Sequence, residues 1–292
     1  PAIVHGGPFA NIAHGCNSIL ATYTALSLAD WVVTEAGFGA DLGAEKFLDT
    51  KCRIAGIRPD CVVIVATVKA LKLHGGADKA SLSEENLPAL RAGMPNLYKH
   101  IENIRNVYNL PVVVAMNRFA SDTPAEIETV MRGVEEAGAK AVFTDVFLKG
   151  GEGGRELAEA VCAAAEERGM RYAYDLNDPV EKKIEDVVRK VYGGAGVTFS
   201  AVAEEKIADA EKRGYGKLPV IIAKTQYSLS DDAKLLARPE GFTVHVRDII
   251  VKGGAEFVVA VAGNIMLMPG LGKVPAAEHI GVDEKGEIFG LS

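Results

Sequence analysis

The feature that most constrains the fold of this chain is an alternation of apolar runs and helix-forming segments that begins at Leu110. Residues 110–117 are typical of a strand buried on both faces, and T-P-A-E at residues 123–126 then opens a helix with a capping box and an early proline. Further strands and helices are predicted at residues 140–147, 156–162, 172–176, 182–189 and 219–223. Repeated β-α units with short links predict an α/β fold of doubly wound, mostly parallel sheets with flanking helices.

Two apolar runs nearer the start of the chain extend this pattern. Residues 30–36 and 61–67 are predicted to be buried strands, and residues 69–76 a polar loop. A helical region near residues 83–106, interrupted by two prolines, separates these runs from the later units. We therefore expect two domains, residues 1–96 and 97–292.

A hairpin is predicted close to the other end of the chain. Apolar runs at residues 242–247 and 257–262 flank Lys252-Gly253-Gly254, which is a turn signal. The runs favour an antiparallel hairpin at the edge of the sheet.

Composition excludes several classes of protein. Hydrophobic residues make up 48% and charged residues 24%, as in soluble globular proteins, and the net charge of −7 is a poor match for nucleic acid. No apolar run is long enough to span a bilayer. The four cysteines show neither C-x-x-C pairs nor the spacing of metal ligands, so we expect reduced thiols, a cytoplasmic protein and no metal site of their own.

A glycine-rich turn, G-F-G-A-D-L-G at residues 37–43, lies between the strand predicted at 30–36 and a helix-like segment. Strand, glycine turn and helix is the arrangement of a phosphate-binding loop, but the spacing is one residue off the dinucleotide fingerprint and an acid would repel a pyrophosphate. We interpret Gly37, Gly39 and Gly43 as allowing close backbone approach to a ligand, and Asp41 as a cap or polar ligand contact. A nicotinamide-dependent oxidoreductase is the alternative, although it lacks an acid after the second strand.

Two loops that follow predicted strands each contain a phenylalanine. Phe119 lies in residues 117–122 and Phe147 begins residues 147–154, and ligands bind beyond the carboxyl ends of strands in open α/β sheets. Two aromatic faces on neighbouring loops could hold a flat heterocycle, with about 1 kcal/mol from each stacked pair. The alternative is a pair of core phenylalanines that close the top of the sheet.

The order of residues resembles formate–tetrahydrofolate ligase, also called 10-formyltetrahydrofolate synthetase, over essentially the whole chain. The matching runs are H-G-G-P-F-A-N-I-A-H-G-C-N-S at 5–18, T-E-A-G-F-G-A-D-L-G-A-E-K-F at 34–47, K-G-G-E-G-G at 149–154, A-K-T-Q-Y-S-L-S-D-D at 223–232 and M-P-G-L at 268–271. The family's ATP-binding P-loop lies upstream of these runs, and G-x-x-x-x-G-K-[ST] occurs nowhere in this sequence. The chain therefore resembles the C-terminal half of such an enzyme.

The resemblance implies a reaction and its partners. ATP phosphorylates formate, N10 of tetrahydrofolate attacks the formyl phosphate, and 10-formyltetrahydrofolate and phosphate are released. ATP, Mg²⁺ and a monovalent cation (K⁺ or NH₄⁺) are expected as cofactors, and a homotetramer as the assembly. The catalytic groups are expected in the P-loop-bearing N-terminal half, so this chain alone is expected to be inactive. The remaining alternative is a catalytically silent folate-binding or assembly module.

The resemblance also assigns residues to the pterin pocket. Phe119 and Phe38 match family residues that line it, while Phe147 stands where tryptophan is usual, Phe143 where an aliphatic residue is usual and Ala120 where proline is common. Stacking survives the exchange of tryptophan for phenylalanine, but the indole N–H is lost. The folate affinity, or the preferred polyglutamate form, is therefore expected to differ from that of family members with the usual residues at these positions.

The segment at residues 5–18 is expected to lie at the seam with the other half and to face the nucleotide cleft. Pro8, Phe9, Asn11 and His14 are the residues assigned to it. Buried amides are costly unless hydrogen-bonded, and the segment's glycines allow close backbone approach to another surface. The alternative is a self-contained turn in which Asn11 caps only local backbone.

Overall fold

The structure, a computed structural model, describes residues 2–3, 13–165, 169–263, 265, 274, 278–286 and 288–290. The strands are β1 (Val62–Ala66), β2 (Val112–Asn117), β3 (Lys140–Thr144), β4 (Gly196–Phe199), β5 (Val220–Ala223), β6 (Thr243–Lys252), β7 (Phe257–Ala262), β8 (Gly281–Val282) and β9 (Ile288–Phe289). The α-helices are α1 (Ile19–Leu28), α2 (Gly43–Lys46), α3 (Arg53–Ala55), α4 (Val68–His74), α5 (Leu87–Glu102), α6 (Pro124–Glu136), α7 (Val146–Lys149), α8 (Arg155–Ala164), α9 (Val180–Val187) and α10 (Ala201–Lys212). Phe47–Cys52, Asn103–Val107 and Val188–Tyr192 are π-helical and adjoin α2, α5 and α9.

One sheet has the order β1-β2-β3 with parallel neighbours throughout. Successive side chains of a strand point to opposite faces. On one face, Ile64 and Ala66 of β1 join the main core, which also contains apolar residues of α4 and α5. On the other face, Val63 and Val65 are 37% and 66% exposed. The core-side face is therefore covered along β1, while the opposite face is open there.

The second sheet has the order β4-β6-β7-β5, in which β6 and β7 are antiparallel and the outer pairs are parallel. The predicted hairpin and the mostly parallel α/β fold are confirmed. The predicted edge position of the hairpin is wrong, because β6 and β7 are the two central strands. Every residue of β7 is buried, as expected for a strand with neighbours on both sides.

The buried strand predicted at residues 30–36 does not form. Trp31 and Val33 are 58% and 95% exposed, and the segment's ladder contact is a single bridge between Ala36 and Cys16. An apolar, β-branched run becomes a strand only when a neighbouring strand supplies hydrogen-bond partners. Within the described part of the chain, no such neighbour lies beside it.

The polar loop predicted at residues 69–76 is largely the helix α4. The Thr67 hydroxyl caps its start by accepting a hydrogen bond from the Ala70 N–H. Lys72 is buried and pairs with Glu126 of α6 at 2.8 Å. The lysines of this segment suggested exposure, but one of them is an internal ion-pair partner.

Helix α5 runs through the predicted domain boundary between residues 96 and 97, and β1 pairs with β2 across it. The division into two domains stays a prediction. The expected interruption at Pro95 is wrong, because this proline lies inside α5. A Cβ on Gly93 would lie 1.8 Å from the Leu71 carbonyl oxygen, so glycine allows α4 and α5 to touch.

No helix in the described ranges has both the length and the apolar character needed to cross a membrane.

Candidate functional site

The glycine-rich turn at residues 37–43 is compact and tied to the chain near Gly15. The Gly37 N–H donates to the Gly15 carbonyl at 2.9 Å, and a Cβ on Gly43 would lie 2.1 Å from the Gly37 carbonyl oxygen. Phe38 has a φ of 62°, a left-handed conformation that is uncommon for a residue with a side chain, and it is 51% exposed. The turn thus presents one aromatic side chain to solvent in a strained conformation, which is a frequent property of ligand sites.

Asp41 and Lys224 form a buried ion pair beneath this turn. Asp41 Oδ2 lies 2.7 Å from Lys224 Nζ, which also donates to the Ser228 carbonyl at 2.5 Å. Burial alone would raise the pKa of Asp41, but the charges of Lys224 and His100 outweigh it and hold this pKa below its ordinary value. Asp41 was expected as a cap or ligand contact. In the structure its partner is a lysine that follows β5, which joins the turn to the second sheet, and the ligand contact stays a prediction.

A cavity of about 620 Å³ opens beside the turn. Residues 30–36 line it on one side and residues 61–67 on another, and the predicted site residues Phe38, Gly39 and Asp41 are part of its wall. His74 and His100 also line it, and burial lowers the pKa of both imidazoles. Its size suits a small organic ligand.

The end of β2 forms a closed turn that holds Phe119. The Phe119 N–H donates to Asp122 Oδ2 at 2.8 Å, and the Asp122 N–H donates back to the Phe119 carbonyl at 3.0 Å. Phe119 is 41% exposed, and Lys69 Nζ of α4 lies 4.8 Å from the centroid of its ring. Burial raises the pKa of Asp122. Phe119 is thus an accessible aromatic face with a cation beside it. The adjoining Ala120 is exposed.

The other two predicted pocket phenylalanines differ from each other in exposure. Phe147 lies on α7 and is 92% exposed, whereas Phe143 of β3 is half-buried under the Arg118 guanidinium, 5.9 Å from the ring centroid. Among the ring contacts of the described residues, none joins Phe119 to Phe147. These phenylalanines do not line the 620 Å³ cavity. The sandwich therefore stays a prediction.

Of the residues assigned to the opening segment, Pro8, Phe9 and Asn11 lie outside the described residues. His14 is half-buried, with its ring edge-on to Phe257 at a centroid distance of 6.3 Å. This contact ties the end of the segment to β7. The seam assignment stays a prediction.

A buried group of acids was missed by sequence reasoning. Asp49 accepts hydrogen bonds from the Tyr108 hydroxyl at 2.9 Å and the Ala173 N–H at 2.8 Å, and burial raises its pKa to about 6. Both carboxyl oxygens of Glu45 are buried without a hydrogen-bond partner, and burial followed by repulsion from Asp49 raises the Glu45 pKa well above its ordinary value. The segment at residues 45–51, E-K-F-L-D-T-K, has the charge spacing of an exposed helix. The sequence therefore gives no signal that Glu45 and Asp49 are buried.

The described residues contain no cluster of three or more His, Cys, Asp and Glu side chains that could hold a metal ion. The sequence also lacks the glycine-rich loop, lysine and hydroxyl with which a P-loop binds a nucleotide triphosphate and Mg²⁺.

Comparison with known proteins identifies close relatives. A sequence model described as formate–tetrahydrofolate ligase matches residues 1–292. A formate–tetrahydrofolate ligase of Psychrobacter sp. (strain PRwf-1) is similar to this chain, with 56% identity over 296 aligned positions. The alignment covers 100% of this chain and 52% of that protein, so the chain spans about half the length of the curated relative that it matches.

Proposed function

Since the chain belongs to the formate–tetrahydrofolate ligase family, we propose that it supplies half of an ATP-dependent enzyme that joins formate to tetrahydrofolate. The supporting observation is the 56% identity to a ligase of this family along the entire chain. In the proposed reaction the product is 10-formyltetrahydrofolate, formed through formyl phosphate. The family match does not support the alternative of a nicotinamide-dependent oxidoreductase.

The chain is proposed to be the C-terminal half of the ligase. Two arguments support this proposal: the sequence contains no P-loop motif, and the resemblance implies that this motif lies upstream of the segments present here. ATP, Mg²⁺ and the monovalent cation would then bind mainly through the other half, and a homotetramer is the proposed assembly. A flanking reading frame tests the order: a P-loop encoded upstream supports it, and one encoded downstream contradicts it.

This chain's proposed contribution is the folate pocket at the ends of β2 and β3. Phe119 and Phe147 expose ring faces there, and Lys69 beside Phe119 offers a positive charge to the glutamate carboxylates of a folate. Phe38, Phe143 and Ala120 are proposed as further lining. These residues would bind and orient the pterin, while phosphoryl transfer needs groups from the other half.

Reconstitution tests the proposed function. We expect the purified chain alone to form no 10-formyltetrahydrofolate, and addition of the unaligned half of the Psychrobacter ligase as a separate polypeptide to restore formate- and ATP-dependent product. Steady turnover by the homogeneous chain would contradict the proposal that catalysis needs groups from the other half. Folate binding by an assembled complex without any turnover would instead favour the silent folate-binding module, which the missing P-loop motif makes the second candidate.

Phe147→Ala tests the folate pocket. The variant should bind tetrahydrofolate more weakly by about 1–3 kcal/mol, because a stacking face and its buried area are lost, and Phe147→Trp should bind at least as well as the parent. Phe289→Ala, at another exposed phenylalanine, is the control. Titrations that overlay for the parent and Phe147→Ala, with the fold intact by circular dichroism, would place the pocket elsewhere.

A further inference from the structure

Two segments of the chain border the same cavity. Residues 31–36 lie on one side and β1 on another, and we call the space between them the strand slot. β1 is the outer strand of its sheet, and no described strand pairs with its free edge. The slot therefore runs along a strand edge that has no ladder partner in the described part of the chain.

The strand slot lacks the features that protect an exposed sheet edge. Free edges in soluble proteins usually carry charged residues, prolines or bulges. The β1 sequence V-V-I-V-A contains no charged residue and no proline. Val63 and Val65 are exposed, although their partners Val113 and Ala115 on β2 are buried. Across the slot, Val33 is 95% exposed. Exposed apolar side chains on both borders of a cavity are typical of an interaction site.

We propose that a β-strand from the half of the ligase absent from this chain inserts into the strand slot and pairs with β1. Insertion would convert residues 31–36, which now make a single bridge through Ala36, into a strand of the same sheet, as their β-branched sequence predicts. The identity of the occupant rests on the proposed function. The chain length supports it, because this chain aligns with 52% of its relative and the rest of that relative's length is available as the occupant.

The position of the strand slot links it to the candidate site. Residues 38–41 and Thr67 follow the two bordering segments and also line the cavity. A strand running parallel to β1 would end between them, and the loop after it would lie at the carboxyl ends of the strands, where open α/β sheets bind ligands. Insertion would thus bring a loop of the missing half beside Phe38 and Asp41.

Charge substitutions within the strand slot test the insertion. Val65→Lys and Val33→Lys should each weaken binding of the unaligned Psychrobacter half by about tenfold or more, because insertion buries an unpaired charge. Val202→Lys, at an exposed valine of α10 outside the slot, should bind like the parent chain. All three isolated variants should melt within about 2 °C of the parent, because the substituted side chains are exposed.

Backbone and tryptophan probes report insertion directly. Hydrogen exchange at residues 31–36 and 62–66 should slow when the other half binds, since inserted backbone groups become paired. Trp31 lines the slot and is the chain's single tryptophan, so 5-fluorotryptophan incorporated into this chain alone should change its ¹⁹F shift on binding.

The possible outcomes separate the two proposals. Unchanged affinity of both slot variants, with unprotected amides at residues 62–66, overturns insertion even if the complex is an active ligase. A protected slot in a complex without ligase activity supports insertion and contradicts the proposed function. Failure of the parent chain to bind the other half overturns insertion. Dimerisation of this chain alone that Val65→Lys abolishes would make a second copy the occupant, and that also overturns it.

Discussion

At the scale of single residues, a buried lysine organises the glycine-rich turn. Lys224 is fully buried and connects Asp41 of the turn to the loop after β5 through the contacts with Asp41 and the Ser228 carbonyl. Its methylene stem and charge both lie within the protein, with Nζ 4.8 Å from the centroid of the Tyr192 ring. Removal of such a cation leaves a carboxylate buried without compensation.

Lys224→Met should therefore lower the free energy of unfolding by about 3–5 kcal/mol, measured by urea denaturation. The double variant Lys224→Met, Asp41→Asn should recover much of this loss, because it buries no unpaired charge. Lys206→Met, which removes an exposed ion pair with Asp248, should have little effect. An equal loss in the single and double variants would assign the effect to packing and hydrogen bonds rather than to charge.

Asp49 should make stability depend on pH in the direction set by its raised pKa. The ordinary pKa is 3.8 and burial raises the folded value to about 6, so the folded chain keeps a proton that the unfolded chain has lost. The favourable contribution is therefore complete below about pH 4 and is lost as pH rises to about 6.

The difference in unfolding free energy between the parent and Asp49→Asn should accordingly decrease from pH 4 to pH 6, by up to about 3 kcal/mol. Urea titrations at several pH values measure it. A difference that grows with pH would show that the hydrogen bonds from Tyr108 and Ala173 to the carboxylate outweigh its burial.

At the scale of elements, the joint between the turn and α2 depends on the absence of a side chain at one position. Gly43 begins α2, and its Cα faces the Gly37 backbone so closely that a Cβ would lie 2.1 Å from the carbonyl oxygen. Backbone atoms cannot move aside as a flexible side chain could. The structure shows a close approach between two parts of the chain here, and the approach of a ligand to Gly43 stays a prediction.

Gly43→Ala should destabilise the chain by about 1–3 kcal/mol or more, because the new methyl group displaces the turn. Gly151→Ala is a matched control, since nothing lies within 4 Å of a Cβ at that position and its φ is not positive. It should leave the urea midpoint unchanged or slightly raised. A Gly43→Ala midpoint equal to that of the control would show that the turn adapts at little cost.

At the scale of the whole molecule, the two larger sheets of the described chain are joined by a continuous core, and one of them has an unprotected edge. Apolar residues of both sheets belong to the same buried cluster. The relative is about twice as long, so the proposed complete enzyme has further chain available to cover that edge. Binding of a partner to the folded state alone raises apparent stability by mass action.

We therefore expect the melting temperature of this chain to rise when the unaligned Psychrobacter half is added. When the added half is present at one hundred times the dissociation constant, the free energy of unfolding of this chain should increase by about 2.7 kcal/mol. Differential scanning calorimetry of the mixture and of each half measures it, and Val65→Lys should abolish the shift of this chain's transition. Two transitions that stay at their separate temperatures would contradict the expected association.

The sequence by itself determined the α/β class, the capping box at Thr123, the hairpin of β6 and β7 and, through its resemblance, the family. These features depend on local periodicity, cap chemistry and long matching runs. Tertiary structure decided which apolar runs have neighbours and which charged residues are internal: residues 30–36 lack a ladder, β6 and β7 are central, and Lys72, Asp49 and Lys224 are buried. Strand pairing and ion pairing join residues far apart in the chain, so periodicity within one segment cannot specify them.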